Sequence, residues 1–226
     1  MNILELKEII FTSLDDIICN RANFKIKSDG SYVSEGDLLV QSIVRNWIDS
    51  HLPDHVFISE EEEITSNNWD VNGSYVVLDP IDGTENFISG LKEWGIGLSI
   101  FTMGSHEQSF ILLPELNDYQ ITGMPFKRYN SRIIGLSSAL SFGEMLNLNF
   151  KEGVEYRIIG CAMYNLLMAA RGSYMIFENV KGVNCWDILP GLNLAREAGC
   201  QTWVNDEPYN GQILFPTQKY RVKIQK

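Results

Sequence analysis

The chain has 226 residues, 45% of them hydrophobic and 11% aromatic, and can therefore bury a sizeable core as one compact unit or as two closely packed halves. Its formal net charge of −11 argues against binding a nucleic acid polymer or an anionic membrane, because either partner requires a basic protein surface. An acidic protein that handles an anionic substrate needs metal cations.

Cysteine and histidine usage argues against a zinc cluster. The four cysteines show no C-x-x-C pairing and the three histidines are scattered, which favours reduced, buried thiols. The first residues contain no apolar signal core, and no apolar run is long enough to cross a membrane. These features predict a cytoplasmic protein that neither is secreted nor spans a membrane.

The first elements are predicted from apolar spacing and turn chemistry. Residues Ile3 to Ile18 have helical spacing and predict one amphipathic packing helix. A turn at Gly30 predicts a short exposed hairpin, and a second helix is predicted to begin near Ser34. Asp37 lies three residues after Ser34, so a capping box explains it locally.

A strand is predicted from Val56 to Ser59, and four glutamates follow it, Glu60 to Glu63. Four successive acids are most simply a solvated loop or the first turn of a helix. Like-charge repulsion within the run would, however, be relieved by a cation at its edge. Glu60 is therefore a metal-ligand candidate if other ligands converge on it.

The segment from Val76 to Phe87 combines an apolar β-branched run with two aspartates and a Gly-Thr pair. Pro80 is predicted to stop the strand and Gly83 permits a tight turn, so Asp79 and Asp82 can point into one space. Crowded carboxylates repel each other unless a cation lies between them, and oxygen ligands favour Mg²⁺, Mn²⁺ or Ca²⁺. The N–H groups that follow would form a helix N-terminus suited to phosphate. The simpler alternative is a strand-end turn in which Asp82 caps a helix.

The remaining chain is predicted to form further strands and then alternating strands and helices. The predicted strands are 95–101, 109–113, 119–122, 133–137, 156–159 and 174–178, and the predicted helices are 143–148 and 162–171. A last helix runs to Gly199, and by local rules Asp187 is its N-terminal cap. No linker separates the halves, and we place the boundary by estimate between 1–130 and 131–226.

Two signatures carry a resemblance to a known family. The string Asp79-Pro80-Ile81-Asp82-Gly83-Thr84-Glu85-Asn86-Phe87 resembles the central signature of the inositol monophosphatase-like family of Mg²⁺-dependent phosphomonoesterases. Cys185-Trp186-Asp187, with Ala195 to Gly199, is similar to the family's second signature. Two weaker segments also match, Lys27 with Val33, Ser34 and Asp37, and Ser59-Glu60-Glu61.

The resemblance implies the ligands of a metal site. Glu60, Asp79 and the backbone carbonyl of Ile81 would bind one Mg²⁺, and Asp79, Asp82 and Asp187 would bind a second. Two or three ions are implied in all, with Mn²⁺ as an alternative and with Li⁺ and Ca²⁺ as inhibitors. An oxygen-only donor set is consistent with these ions.

The resemblance also implies the catalytic groups. Thr84, polarised by Asp37, would orient the attacking water, and Glu60 would complete the catalytic set. The implied substrate contacts are Asp82, Gly83, Thr84, Gly160, Cys161, Ala162, Glu178 and Asp187.

Two of these substrate contacts depart from the family pattern. Cys161 stands where the family has serine or threonine, and Glu178 is two residues further from Trp-Asp than in the animal enzymes. A core cysteine and a strand-end glutamate are equally good explanations of these two residues.

The implied fold is an α/β (α+β) layered sandwich of the αβαβα sugar-phosphatase type. We expect a mixed or antiparallel first sheet flanked by helices, a mainly parallel second sheet and a site between the halves. The shortened segment 102–131 predicts a trimmed sheet edge.

The implied function is a Mg²⁺-dependent phosphatase that hydrolyses a small phosphomonoester, such as inositol monophosphate or a sugar phosphate, by metal-activated water. The alternatives are a 3′(2′),5′-bisphosphate nucleotidase of the same family and a non-catalytic metal- or phosphate-binding regulatory protein. The expected partners are the small phosphorylated substrate and a second copy in a homodimer.

Overall fold

The computed structural model describes residues 3–63, 68–138, 140–146 and 150–226. In these ranges the α-helices are α1 (Ile3–Thr12), α2 (Leu14–Cys19), α3 (Glu35–His51), α4 (Thr84–Ile88), α5 (Phe142–Leu146), α6 (Ala162–Arg171) and α7 (Cys185–Glu197). The strands are β1 (Phe24–Ile26), β2 (Tyr32–Ser34), β3 (Val56–Ser59), β4 (Tyr75–Asp82), β5 (Gly95–Thr102), β6 (Ser105–Leu113), β7 (Asp118–Ile121), β8 (Ile133–Leu136), β9 (Glu155–Ile158), β10 (Ile176–Val183), β11 (Gln201–Val204), β12 (Glu207–Pro208) and β13 (Tyr220–Gln225). None of the described helices is both long and apolar enough to cross a bilayer.

Two mixed sheets organise the chain, and β1 and β2 form a separate hairpin. The first sheet has the order β3-β4-β5-β6-β7, with β3 parallel to β4 and the other neighbours antiparallel. The second has the order β12-β11-β13-β10-β8-β9, in which β8 is parallel to β9 and to β10. The prediction of a mainly parallel second sheet is wrong, because β11, β12 and β13 add antiparallel pairings.

The elements stack in layers. One face of the first sheet packs on α1, α2 and α3 through a cluster that includes Leu6, Val44, Leu78, Ile96 and Phe110. The other face packs on α6 and α7, which also cover the second sheet, in a cluster that includes Val77, Leu166, Leu189, Phe177 and Val222. An ion pair between Glu144 and Lys181 at 3.3 Å joins α5 to β10 of the second sheet. The predicted layered α/β sandwich is therefore confirmed.

Strand β4 is buried on both faces, which explains its uninterrupted apolar sequence. Side chains alternate along a strand, so Val76 and Leu78 face the outer helices, while Val77 faces α6 and α7. Asp79 follows on the same side as Val77. The side-chain alternation of β4 thus points the Asp79 carboxylate toward the helical layer between the two sheets.

The first predicted helix is interrupted. Helix α1 ends at Thr12 and α2 begins at Leu14, so the single helix predicted over Ile3 to Ile18 is wrong at its middle. The Ser13 hydroxyl donates to the Ile9 carbonyl at 3.0 Å, and such side-chain bonds compete with the helical ladder. The predicted helix at 143–148 corresponds to α5, and its last two residues lie outside the described ranges.

Several predicted boundaries also change. Strand β4 continues past Pro80 to Asp82. Its pairing with β5 shifts register between Asp79 and Asp82, so no N–H of Pro80 is needed for hydrogen bonding between the strands. Asp187 takes part in the cap of α7 from the N3 position and is not its N-cap residue. Asn184 holds the N-cap position, and its N–H donates to Asp187 Oδ2 at 2.7 Å.

The close approach of α6 to α7 yields a stability prediction. A Cβ added at Gly191 would lie 2.4 Å from Leu166 Cβ, a rigid atom at the centre of the helix pair. We expect Gly191→Ala to lower the free energy of unfolding by roughly 1–3 kcal/mol through overpacking. Gly143→Ala is the control, since a Cβ there meets no atom within 4 Å. Urea denaturation checks both variants, and an unchanged midpoint for Gly191→Ala would contradict the packing described.

Candidate metal centre

A cavity of about 250 Å³ lies where the ends of β3 and β4 meet the first turns of α4, α6 and α7. Ten of the residues predicted from the sequence line it: Glu60, Asp79, Ile81, Asp82, Gly83, Thr84, Gly160, Cys161, Ala162 and Asp187. Of the other two, Asp37 is buried behind Thr84 and Glu178 lines a neighbouring cavity. Residues distant in sequence therefore converge as the predicted constellation requires.

Asp79 is the centre of the cluster. Its side chain is 0% exposed, and neither carboxylate oxygen has a hydrogen-bond partner among the described residues. Burial raises the pKa of Asp79 well above its usual range, and the charges of Glu60, Asp82 and Asp187 raise it further. A buried, unpartnered carboxylate is costly unless a cation neutralises it.

Glu60 and Asp187 complete a three-residue ligand set with Asp79. One carboxylate oxygen from each of the three lies within 4.8 Å of the other two. Burial, followed by the charges of Glu60 and Asp82, raises the pKa of Asp187 well above its usual range. Lys27 Nζ contacts Glu60 Oε1 at 3.0 Å, and Lys27 also pairs with Glu61.

Asp82 is held from the side of α6. Its Oδ2 accepts from the Cys161 thiol at 3.0 Å and from the Met163 N–H, so the positive N-terminus of α6 faces this carboxylate. Burial nevertheless raises the pKa of Asp82 to about 6, against the lowering effect of these donors. Gly83 permits the close approach, because a Cβ there would lie 3.0 Å from the Gly160 carbonyl oxygen.

Asp37 and Thr84 lie beside the cluster. Asp37 Oδ2 accepts from the Ser34 backbone N–H at 2.8 Å and from the Ser34 hydroxyl, which confirms the predicted capping box. Thr84 Oγ1 is 3.5 Å from Asp37 Oδ1 and 3.0 Å from the Ile81 carbonyl oxygen. Burial raises the pKa of Asp37 to about 6. One aspartate thus caps α3 and reaches the threonine.

The donor set fits a hard divalent cation. Every candidate ligand is an oxygen atom, two of them are the unpartnered oxygens of Asp79, and the ligands come from three chain segments. Lys27, which pairs with Glu60, and Lys219, whose charge lowers the pKa of Asp187, offset only part of the charge of Glu60, Asp79, Asp82 and Asp187. Divalent ions held by these oxygens would supply the missing positive charge.

The cavity is also lined by polar residues that were not predicted from the sequence. They include Asn165, Asn179, Asn184, Ser137 and Ser138, and Phe177 adds an aromatic wall. Asn165 carried a usable signal, since it follows Gly160-Cys161-Ala162 by one helical turn. No sequence feature marked Asn179, because the register of the sheet decides which face of β10 meets the cavity.

The raised carboxylate pKa values predict how stability responds to pH and metal. A carboxylate whose pKa is higher in the folded than in the unfolded state, where it is about 4, binds extra protons on folding. The metal-free protein should therefore lose stability as pH rises from about 4 through the folded-state values, about 6 for Asp82. Mg²⁺ requires the ionised carboxylates, so it should raise Tm by several degrees more near pH 7.5 than near pH 5.

Thermal unfolding at the two pH values, with Mg²⁺ and with a chelator, measures this difference. A Mg²⁺ effect that is as large near pH 5 would show that the buried carboxylates do not hold the ion.

The layers and the carboxylate-lined cavity define an α/β layered sandwich of the sugar-phosphatase type. The chain belongs to the inositol monophosphatase family, whose family model matches residues 3–139. The matched range contains Glu60 and the whole central motif, and it ends before Asp187. The family resemblance drawn from the sequence is thereby confirmed.

Individual proteins agree with the family match. The Nus factor SuhB of Pasteurella multocida (strain Pm70) is 27% identical over 203 residues, covering 77% of this chain and 72% of its own. The inositol-1-monophosphatase of Rhizobium meliloti (strain 1021) is 26% identical over 215 residues, covering 84% and 77%. A crystal structure of an IMPase/NADP phosphatase complexed with Mg²⁺ and phosphate aligns with a TM-score of 0.80 at 18% identity, covering 99% of this chain and 88% of that one. That structural likeness bears on the fold.

Proposed function

We propose that this protein is a Mg²⁺-dependent phosphatase that hydrolyses a small phosphomonoester, such as inositol monophosphate or a sugar phosphate. The observation that carries the proposal is the buried, unpartnered carboxylate of Asp79 within reach of Glu60 and Asp187, at the base of a cavity of about 250 Å³. Family membership supports it, and so does a Mg²⁺ and phosphate complex of a protein of the same fold.

The metal ligands are proposed as follows. Glu60, Asp79 and the Ile81 carbonyl would hold one ion, and Asp79, Asp82 and Asp187 would hold another, so Asp79 would be shared by both. Mg²⁺ is the proposed ion, with Mn²⁺ as an alternative. When bound, such ions lower the pKa of a water molecule and neutralise the phosphate oxygens and the leaving alkoxide.

Thr84 and Asp37 are proposed to orient the attacking water. The Thr84 hydroxyl has two acceptors within reach, the Asp37 carboxylate and the Ile81 carbonyl. Its proton goes to one of them, so an oxygen lone pair of Thr84 is free to accept from water. The role is positional, because a fixed acceptor aligns the lone pair of the nucleophile without forming a covalent intermediate.

The substrate contacts proposed from the family remain Asp82, Gly83, Thr84, Gly160, Cys161, Ala162, Glu178 and Asp187. At the start of α6, hydrogen-bond donors proposed to contact the substrate are already used by Asp82. The Met163 N–H at the start of α6 is used by Asp82, and the Cys161 thiol points at the same carboxylate. Cys161 and Met163 therefore act first by fixing Asp82, and segment 160–162 would border the substrate as part of the cavity wall.

A second candidate function is a regulatory role without turnover. The observation that favours it is that several curated relatives carry the name Nus factor SuhB. In this chain the metal ligands, Asp37 and Thr84 are all present, which favours an enzyme.

A panel of small phosphomonoesters, assayed for phosphate release with Mg²⁺ and with a chelator, separates the two functions. Mg²⁺-dependent release from a polyol or sugar phosphate supports the phosphatase. Absence of release from every ester, by a protein that still binds Mg²⁺, would favour the regulatory role. A preference for adenosine 3′,5′-bisphosphate would instead identify the nucleotidase alternative.

A further inference from the structure

Strand β10 presents different residues to its two sides. Phe177 lines the metal-site cavity and packs against the helical layer, whereas Glu178 and Val180 line a separate cavity with Trp203, which Asn179 also borders. Asn179 is two residues after Phe177 and therefore shares its face. Asn179 also lines the metal-site cavity. Of the neighbours Glu178 and Asn179, Asn179 is therefore the one that reaches the metal-site cavity.

The Asn179 side chain is fixed in one orientation. It is 4% exposed, and its Oδ1 accepts from the N–H groups of Lys181 at 3.2 Å and Gly182 at 3.1 Å. These bonds form where β10 shifts register against β13, between Asn179 and Val183. They use both lone pairs of Oδ1 and fix which end of the amide is oxygen. Nδ2 makes no hydrogen bond within the described part of the chain, so it remains a free, pre-oriented donor.

The wall around Asn179 is polar but uncharged. Its cavity neighbours include Phe177, Asn165 and Asn184, and the charged residues that line the cavity are the candidate metal ligands. Divalent ions held by these ligands would account for recognition of the phosphate. A donor on the uncharged wall is left to meet the alcohol part of the substrate.

We propose that Asn179 is a specificity-determining residue, whose Nδ2 donates a hydrogen bond to an acceptor oxygen on the alcohol part of a small phosphomonoester. The inference rests on the proposed phosphatase function and deepens it. A fixed N–H donor favours substrates that present a carbonyl, ether or hydroxyl oxygen as an acceptor at this point. A glutamate in the same place would instead favour hydroxyl donors.

Asn179→Asp is the sharpest variant. Aspartate can keep the two backbone bonds through Oδ1, so the bulge is preserved, while the N–H donor is replaced by an acceptor. With the best ester of the panel, we expect KM to rise about tenfold with kcat within about threefold, because a donor to the bound substrate is lost. Inorganic phosphate, which has no alcohol part, should inhibit the variant and the parent equally within about threefold.

Glu178→Gln is assayed beside it and decides between the two neighbouring residues. The proposal expects a smaller rise in KM for Glu178→Gln than for Asn179→Asp. A rise in KM for Glu178→Gln with none for Asn179→Asp would overturn it. Equal weakening of ester and inorganic phosphate by Asn179→Asp would also overturn it, since that pattern indicates general charge repulsion. If the parent protein hydrolyses no ester, the proposed function itself fails, and this inference fails with it.

Discussion

Replacing Asp79 with asparagine is expected to remove Mg²⁺-dependent turnover. Asp79 is the one carboxylate proposed to bridge both ions, so loss of its charge should weaken both metal sites together. Changes outside the ligand shell typically cost about 10–100-fold in metal affinity, and loss of a bridging ligand should exceed that range. Calorimetric titration with Mg²⁺ and phosphate release at saturating ester measure the two effects.

The same substitution should stabilise the metal-free protein, which distinguishes a lost ligand from a misfolded chain. An uncharged amide at this buried position removes repulsion with Glu60, Asp82 and Asp187. Tm without metal should therefore rise, while the increase in Tm on adding Mg²⁺ should shrink. Asp54→Asn, at an exposed aspartate, is the matched control and should leave Tm without metal, the increase in Tm on adding Mg²⁺ and the Mg²⁺ affinity unchanged. Unaltered Mg²⁺ affinity in Asp79→Asn would remove the bridging role.

Thr84→Ala should abolish most turnover while leaving metal binding intact. The substitution keeps every carboxylate ligand and removes only the hydroxyl between Asp37 and the Ile81 carbonyl. Loss of a group that positions the nucleophile typically costs about 10²–10⁴-fold in rate. We therefore expect kcat to fall by at least about 100-fold, with the Mg²⁺ dissociation constant nearly unchanged. Titration of Mg²⁺ in both assays separates this defect from that of Asp79→Asn.

Thr84→Ser provides the control for this prediction, because serine restores a hydroxyl at the same carbon. Substantial recovery of kcat in Thr84→Ser identifies the oxygen atom as the functional group. Near-full turnover by Thr84→Ala would instead show that the Thr84 hydroxyl does not orient the attacking water and that Thr84 only forms the start of α4.

Local chemistry made much of the site predictable. The central motif is contiguous, so the strand of β4, the turn at Gly83 and the start of α4 could be derived from residue types alone. Asp37 was recognised in a capping box, and the structure shows that box together with a contact to Thr84. The convergence of Glu60 and Asp187 on Asp79 came from family resemblance, since no spacing rule links such distant segments.

Tertiary pairing explains what the sequence did not reveal. Strands β11 and β12 are short, and β13 alternates buried apolar residues with polar ones, a pattern that predicts a half-buried strand but does not tell which strand it pairs with. Their antiparallel pairing with β10 then changes the character of the second sheet. The break at Ser13 depends on a side-chain hydrogen bond that leaves the apolar period of the helix unaltered.

The face of β10 shows the same limit at the site itself. Glu178 and Asn179 are adjacent, and an error of one residue in register exchanges which of them meets the cavity. The extra residues between Glu178 and Asp187 form part of the shifted register from Asn179 to Val183. The sequence shows only that the spacing from Glu178 to Asp187 is two residues longer than in the animal enzymes. The pairing of β10 with β13 shows that the extra residues belong to a shift in strand register.

The central claim is that the carboxylates around Asp79 form a divalent-cation centre. Crystals soaked in Mn²⁺ and inorganic phosphate, measured at the manganese absorption edge, test it directly because anomalous scattering locates the ion without assumptions about activity. We expect strong anomalous peaks at Asp79, one shared with Glu60 and one shared with Asp82 and Asp187, at ligand distances of about 2.0–2.2 Å. Full-occupancy manganese elsewhere, with no peak at Asp79, would show that these carboxylates do not form the metal centre.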